Sequence, residues 1–105
     1  MRFVETPIFT RRITDLISDA RYAELQKQLV ENPKAGPVVP GSGGLRKLRW
    51  SGSGRGKRGG IRVIYYWFNG SEEFFMLLAF AKNEQEDLTT EQKRILRAVV
   101  AQEFE

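Results

Sequence analysis

The first half of the chain repeats its hydrophobic residues with the period of an α-helix. One set follows the i, i+4, i+7, i+8 spacing of a single helical face: Phe9, Ile13, Leu16 and Ile17. A second helix, which Ser18 or Asp19 can cap, has its apolar face at Tyr22, Leu25 and Leu29. Asn32 is its expected last residue, because Pro33 disfavours the helical conformation at the residue before it. A loop rich in proline and glycine, residues 33–44, follows.

The second half changes to the period of two that is typical of β-strands. Residues 45–50 alternate, so one side carries Leu45, Lys47 and Arg49 and the other carries Arg46, Leu48 and Trp50. Residues 61–68 are rich in β-branched and aromatic side chains, and Asn69-Gly70, a favoured hairpin turn, leads into a return strand over residues 74–81. Thr89 and Gln92 form a capping box before a last helix. Its apolar stripe consists of Ile95, Leu96, Val99, Val100 and Phe104.

With a short opening strand over residues 2–5, the predicted order is β-α-α-β-β-β-α. This order indicates an α+β protein with a twisted, mainly antiparallel sheet and helices on one face. A length of 105 residues fits one domain, 1–105. The sheet face that carries Arg62 is expected to be open and basic, because an unpaired charge is costly to bury. Tyr66 is then expected beside Arg62, where a nucleotide base could stack on it.

The composition excludes several kinds of chemistry. The chain has no cysteine and no histidine, so disulfides, thiolate sites and the commonest general acid–base residue are excluded. It shows no P-loop and no calcium-loop spacing, and we expect neither a metal nor a cofactor. No apolar run approaches the roughly 18 residues of a membrane span, and we do not expect the first residues to be a signal peptide. A cytoplasmic location is expected.

Positive charge is concentrated in residues 45–62. This segment holds seven of the 17 Lys and Arg residues and none of the 13 acidic residues. Its cations alternate with glycines and strand residues, and a concentrated positive field of this kind favours a phosphate backbone as its ligand. The segment therefore predicts binding to nucleic acid, although a solvated basic loop would have the same composition.

The chain resembles the RelE/ParE superfamily of toxins, and most closely the HigB type. The resemblance rests on three stretches: Gly43-Gly44-Leu45-Arg46-Lys47-Leu48-Arg49, Gly56-Lys57-Arg58-Gly59-Gly60-Ile61-Arg62-Val63-Ile64-Tyr65-Tyr66, and Ala81-Lys82-Asn83-Glu84 with Asp87-Leu88-Thr89. It implies a RelE-like fold and a ribosome-dependent mRNA endoribonuclease that works without a metal. Such a toxin cuts in the ribosomal A site by attack of the 2′-hydroxyl on the adjacent phosphorus.

The resemblance also implies roles for single residues. Arg62 would hold the scissile phosphate in a forked contact, and Lys47 would contact the phosphate or act as a base. The implied catalytic set is Arg62, Lys47, Arg49, Lys82 and Asn83. The implied RNA-binding set is Arg46, Arg55, Lys57, Arg58, Tyr66 and Glu84. Asn83 and Thr89 stand where the best-known ribonuclease members have arginine and tyrosine, which implies either slower chemistry or a different set of catalytic groups, with Glu84 or Lys57 taking part.

The implied partners are an antitoxin with a helix-turn-helix DNA-binding domain, the 70S ribosome and mRNA, with operator DNA bound only through the antitoxin. Two alternative functions remain open from the sequence. One is a gyrase poison of the ParE type, which acts by protein contact and has no need of a basic cleft. The other is a non-catalytic RNA- or ribosome-binding module, because a basic strand and loop suffice to bind phosphates.

Overall fold

The computed structural model describes residues 2–50, 60–68 and 72–104. Its elements are β1 (Arg2–Glu5), α1 (Pro7–Leu16), α2 (Asp19–Glu31), β2 (Arg46–Trp50), β3 (Ile61–Trp67), β4 (Glu73–Ala81) and α3 (Thr90–Phe104). The predicted α+β class and element order are confirmed. The predicted turn at Asn69-Gly70 lies outside the described residues, and so does the side chain of Phe104.

The helices begin where the sequence places capping residues. Thr6 caps α1 by accepting a hydrogen bond from the Phe9 amide at 3.0 Å. Ser18, rather than Asp19, caps α2. The predicted capping box of α3 is confirmed, because the Thr89 hydroxyl accepts from the Gln92 amide and the Gln92 side chain accepts from the Thr89 amide, both at 3.0 Å.

The four strands form one mixed sheet in the order β1-β4-β3-β2. β1 runs parallel to β4, and the other two pairs are antiparallel, as expected of a mainly antiparallel sheet. The register between β3 and β4 shifts at Ile64/Tyr65, which leaves Leu77 as an extra residue in β4. Leu77 and Leu78 consequently both pack on the same side of the sheet.

Helices cover both faces of the sheet, and the prediction that they lie on one face is wrong for α3. The first face packs on α1 and α2 through Phe9, Ile13, Ile17, Leu25, Leu29, Leu48, Ile61, Val63, Tyr65, Phe74, Met76 and Ala79. The second packs on α3 through Leu45, Ile64, Phe75, Leu77, Phe80, Leu88, Leu96 and Val100. The second face carries its own apolar residues on β3 and β4, so it also needs a covering layer.

The predicted apolar stripe of α3 is only partly buried. Leu96 and Val100 belong to the second core, and Val99 packs against its edge. Ile95 is 47% exposed, because it lies on the side of α3 that faces away from the sheet. Among the described residues, no helix is both long and apolar enough to cross a membrane.

The loop before β2 is fixed to the sheet by Tyr65. The Tyr65 hydroxyl donates to the Pro33 carbonyl at 2.7 Å and accepts from the Gly36 amide at 3.0 Å. The Gly36 carbonyl in turn accepts from Arg46 at 2.9 Å. A Cβ at Gly36 would lie 2.8 Å from the backbone of Lys47, so only glycine allows this close approach. The loop thereby holds the edge strand β2 in place.

Candidate functional site

Three cations share one face of the sheet at the end where β3 begins. Arg49 of β2 lies directly opposite Arg62 of β3, and Lys47 lies opposite Ile64. Because residues opposite each other in a strand pair point to the same side, Lys47, Arg49 and Arg62 all face the side that α3 covers. The alternation predicted for β2 is therefore confirmed.

Arg62 is buried and Lys47 is partly buried, and acidic residues of the segment after β4 bind both. The Lys47 Nζ lies 3.1 Å from Asp87 Oδ1, and its side chain is 13% exposed. The Arg62 Nη2 lies 3.6 Å from Glu86 Oε2, and its side chain is 6% exposed. The expectation that the face is open at Arg62 is therefore wrong. The burial is tolerated because a carboxylate pairs with the guanidinium. Arg49 is exposed.

The acidic segment is itself held by hydrogen bonds. Asp87 Oδ1 accepts from the Leu88 amide at 2.9 Å. This backbone hydrogen bond, and then the nearby ammonium groups of Lys47 and Lys93, lower the pKa of Asp87 from its ordinary value. The Gln85 side chain donates to the Asp87 carbonyl and to Gln92 Oε1, both at 2.7 Å. The two carboxylates are thus presented to the sheet by a segment tied to the start of α3.

Lys82 and Asn83 lie exposed in the turn that follows β4. The Lys82 amide donates to the Gly60 carbonyl at 3.1 Å, and Ala81 pairs with Ile61. The turn therefore lies at the end of the sheet where Arg49 and Arg62 face each other. The structure brings four of the five predicted catalytic residues to this end, and the fifth, Lys47, lies two residues further along β2 on the same face as Arg49.

Glu84 holds the turn and faces helix α1. Its Oε1 accepts from the Ala81 amide at 2.9 Å and binds the Arg12 guanidinium. Arg12 Nε also donates to the Ala79 carbonyl at 3.4 Å. Glu84 therefore links α1 to the turn.

Two other predicted RNA-binding residues, Arg46 and Tyr66, do not lie beside Arg62 at this site. Arg46 points to the opposite face and binds the Gly36 carbonyl. Tyr66 is half-buried against the second core, and Ile64 separates it from Arg62, so the two are about 13 Å apart along the strand. The prediction that Tyr66 lies beside Arg62 on an exposed surface is wrong. Three further residues lie outside the described residues: Arg55, Lys57 and Arg58.

Sequence reasoning missed Glu86 and Asp87 as partners of the cations, and Arg12 as the partner of Glu84. A signal for the first two was present. Acidic residues cluster directly after β4, while β2 and β3 carry cations. Once the strands are paired, a cluster of negative charges next to a cluster of positive charges indicates that the two are in contact. The sequence alone does not say which carboxylate pairs with which cation.

A second basic feature runs along α3. A groove of about 800 Å³ lies between this helix and the turn at Gly41, Ser42 and Gly43. Three cations line it, and two alanines form its apolar part: Lys93, Arg94, Arg97, Ala98 and Ala101. Lys93 Nζ donates to the Pro40 carbonyl at 3.1 Å. Lys93 also influences the pKa of Asp87, so the groove begins next to the acidic segment.

The site can stabilise negative charge. Guanidinium and ammonium groups that lie on a rigid sheet are suited to phosphate oxygens. Across the described ranges 2–50, 60–68 and 72–104, no group of three or more acidic, histidine or cysteine residues is arranged to hold a metal ion.

The fold and the site define a class: a small α+β protein whose sheet carries a cluster of basic residues on one face. The family model described as the RelE toxin of the RelE/RelB toxin–antitoxin system matches residues 1–105, which is the whole chain. The chain belongs to this family, and it is a toxin of a toxin–antitoxin system.

Proposed function

We propose that this toxin is a ribosome-dependent endoribonuclease of the HigB type, which cuts mRNA in the A site and so inhibits translation without a metal cofactor. The observation that carries the proposal is the placement of Lys47, Arg49 and Arg62 on one sheet face, with Arg49 directly opposite Arg62 and Lys47 two residues further along β2. A phosphodiester that approaches this end of the sheet would meet all three positive charges.

In the proposed reaction the ribose 2′-oxygen bonds to the adjacent phosphorus and the bond to the 5′-oxygen breaks. The 2′-hydroxyl loses its proton and the leaving 5′-oxygen gains one, which gives a 2′,3′-cyclic phosphate and a 5′-hydroxyl. Negative charge grows on the non-bridging oxygens in the transition state, so preorganised cations accelerate the step. Arg62 is assigned to these oxygens, because its guanidinium can contact two of them at once.

The remaining cations are assigned by position. Lys47 forms an ion pair with Asp87, which supports a role as a positive charge for the phosphorane rather than as a base. Arg49 is exposed at the edge strand, where it would contact the neighbouring phosphate. Lys82 and Asn83 flank the same end of the sheet, and we assign them to the attacking and leaving oxygens. The Arg12–Glu84 contact fixes the turn that carries them.

The proposed partners follow from the toxin family. We propose an antitoxin with a helix-turn-helix domain, through which operator DNA would be bound, and the 70S ribosome with its mRNA as the target. The groove along α3 would add positive charge for ribosomal RNA. A cytoplasmic location belongs to the same proposal.

The test is translation of a defined mRNA in a purified cell-free system, with primer extension to map breaks. We expect breaks within codons only while ribosomes translate. We expect the breaks to persist when a chelator removes metal ions other than those that the ribosome itself requires. Arrested translation with intact mRNA would instead support the non-catalytic ribosome-binding module. Unaffected translation would support the gyrase poison.

Two variants test the site within this experiment. Arg62→Ala should abolish the breaks, and Arg49→Ala should reduce them. Arg49 is exposed, so its replacement leaves the core intact. Arg11→Ala is the matched control, because Arg11 is an exposed arginine of α1. Full cleavage by both site variants would contradict the site assignment.

A further inference from the structure

The two innermost cations of the site are covered by the protein's own carboxylates. Glu86 and Asp87 are 63% and 55% exposed, whereas the Arg62 and Lys47 side chains that they pair with are 6% and 13% exposed. The carboxylates therefore lie between these cations and solvent. A phosphate coming from solvent would meet two negative charges before it meets Arg62 or Lys47.

Carboxylate and phosphate oxygens bind the same donors, so they compete for these cations. An incoming phosphodiester would have to displace Glu86 from Arg62 and Asp87 from Lys47, and until it did so the like charges would repel. The displacement costs little in itself, because each carboxylate is more than half exposed and returns to water while the phosphate takes its place at the cation. It nevertheless lowers the affinity for every RNA that arrives by free diffusion.

RNA that is already held in place on a ribosome loses less entropy on binding to the toxin than free RNA does. A tethered ligand acts at a high effective concentration, so it can displace the carboxylates where a free strand at the same bulk concentration does not. The arrangement thus discriminates by the way the RNA is presented and not by its sequence.

We infer that Glu86 and Asp87 are specificity-determining residues, which compete with RNA phosphate for Arg62 and Lys47 and restrict these cations to RNA presented by the ribosome. The inference rests on the proposed function. It assigns to the acidic segment a role in rejecting free RNA, which differs from a role in the bond-breaking step.

The test uses the full-length protein and a single-stranded RNA with 2′-O-methyl groups, which cannot be cleaved. Binding is measured by fluorescence anisotropy for the wild type and for the double variant Glu86→Gln/Asp87→Asn. We expect the double variant to bind roughly tenfold more tightly, and each single variant to bind more tightly by a smaller factor. Adding Arg62→Gln to the double variant should remove most of the gain.

The matched control is Glu24→Gln/Glu31→Gln. These two carboxylates are also exposed and also pair with cations, Arg21 and Lys27, but they lie on α2 on the other face of the sheet. The control changes the net charge by the same amount, so it measures the general effect of removing two negative charges. We expect a change in RNA affinity of less than about twofold.

Each outcome decides the inference. Tighter binding by the site variant but not by the control supports competition. Unchanged binding overturns it, and so does weaker binding, which would mean that the carboxylates help to shape the RNA site. Thermal melting of each variant verifies folding, and Glu86→Gln alone, at an exposed position, repeats the test if the double variant is unstable. No arm requires cleavage, so a failure of the proposed nuclease activity is recognised separately in the translation assay.

Discussion

Arg62 lies in a strand of apolar residues, and its burial depends on a partner from a distant part of the chain. A guanidinium removed from water without a partner would destabilise the fold by several kcal/mol, whereas Glu86 at 3.6 Å supplies the opposite charge. The sequence marks Arg62 as unusual because it interrupts a run of β-branched and aromatic residues. It does not identify Glu86, since the pairing arises only when the segment after β4 turns back over β3.

Tyr65 gives a prediction at the scale of one hydroxyl group. Tyr65→Phe removes the donor to the Pro33 carbonyl and the acceptor for the Gly36 amide, while the ring stays in the core. We expect a loss of about 1–3 kcal/mol in the free energy of unfolding, because partly buried polar groups of the backbone lose their partners. Urea denaturation measures it. Tyr65→Leu should cost more, because it also removes the ring; equal stability of wild type and Tyr65→Phe would contradict the prediction.

Asp87 gives a prediction for pH. The pKa of Asp87 is lowered in the folded protein, first by the Leu88 amide and then by Lys47. A lowered folded-state pKa adds stability above the ordinary aspartate pKa of about 3.9, and this stability is lost as the pH falls through the folded-state value. We therefore expect Asp87→Asn to be less stable than wild type at neutral pH, by up to about 1 kcal/mol since the group is half exposed.

The difference should vanish when the pH is lowered well below the ordinary aspartate pKa. Urea denaturation at a series of pH values measures it for both proteins. Asp15→Asn is the control, because Asp15 is an exposed aspartate of α1 and its replacement should leave no comparable pH-dependent gap. A gap for Asp87→Asn that stays constant at all pH values would show that the carboxylate charge is not its source.

At the scale of elements, the periodicity of the chain predicted nearly every helix and strand. It succeeded because the period fixes which residues share a face of one element, as in β2, where Lys47 and Arg49 do point together. It failed for α3, which was expected beside α1 and α2. The period of a helix does not say which face of the sheet the helix covers. That choice depends on the turn after β4 and on the apolar side chains, such as Ile64 and Leu77, that need cover.

The turn after β4 is tied to α1 by Arg12 and Glu84, which gives a prediction for two elements at once. A double-mutant cycle with Arg12→Ala and Glu84→Ala should give a coupling free energy of about 0.5–1 kcal/mol. The value exceeds that of many surface pairs, because Glu84 also accepts from the Ala81 amide and Arg12 also donates to the Ala79 carbonyl. Urea denaturation of the four proteins measures it.

Arg11→Ala is the control for this cycle, because Arg11 is an exposed neighbour of Arg12 on the same helix. Its combination with Glu84→Ala should be additive. If the Arg12 cycle is additive as well, the contact does not stabilise the fold, and another feature must hold the turn that carries Lys82 and Asn83.

At the scale of the whole molecule, the positive charge is arranged around the acidic segment. On the side of the acidic segment that faces the sheet lie Lys47, Arg49 and Arg62. On its other side lies Lys93, where the groove along α3 begins. Glu86 and Asp87 therefore interrupt what would otherwise be a continuous basic surface. The concentration of positive charge in residues 45–62 predicted one half of this surface. The other half could not be predicted, because the cations of α3 reach it only through the placement of that helix.

Salt dependence tests how many of these cations contact phosphates. When a cation binds a phosphate of single-stranded RNA it releases counterions, and the slope of log affinity against log salt concentration becomes steeper by about 0.7 for each contact. Arg49 is an exposed cation of the site, so Arg49→Gln should make the slope shallower by about that amount. Lys27→Gln, which removes an exposed cation from α2 on the opposite face, should leave the slope unchanged.

The slopes are measured with the non-cleavable RNA. Equal slopes for wild type and Arg49→Gln would mean that RNA does not approach the sheet at β2. The contact surface would then have to lie elsewhere, for which the groove along α3 is the next basic feature to test.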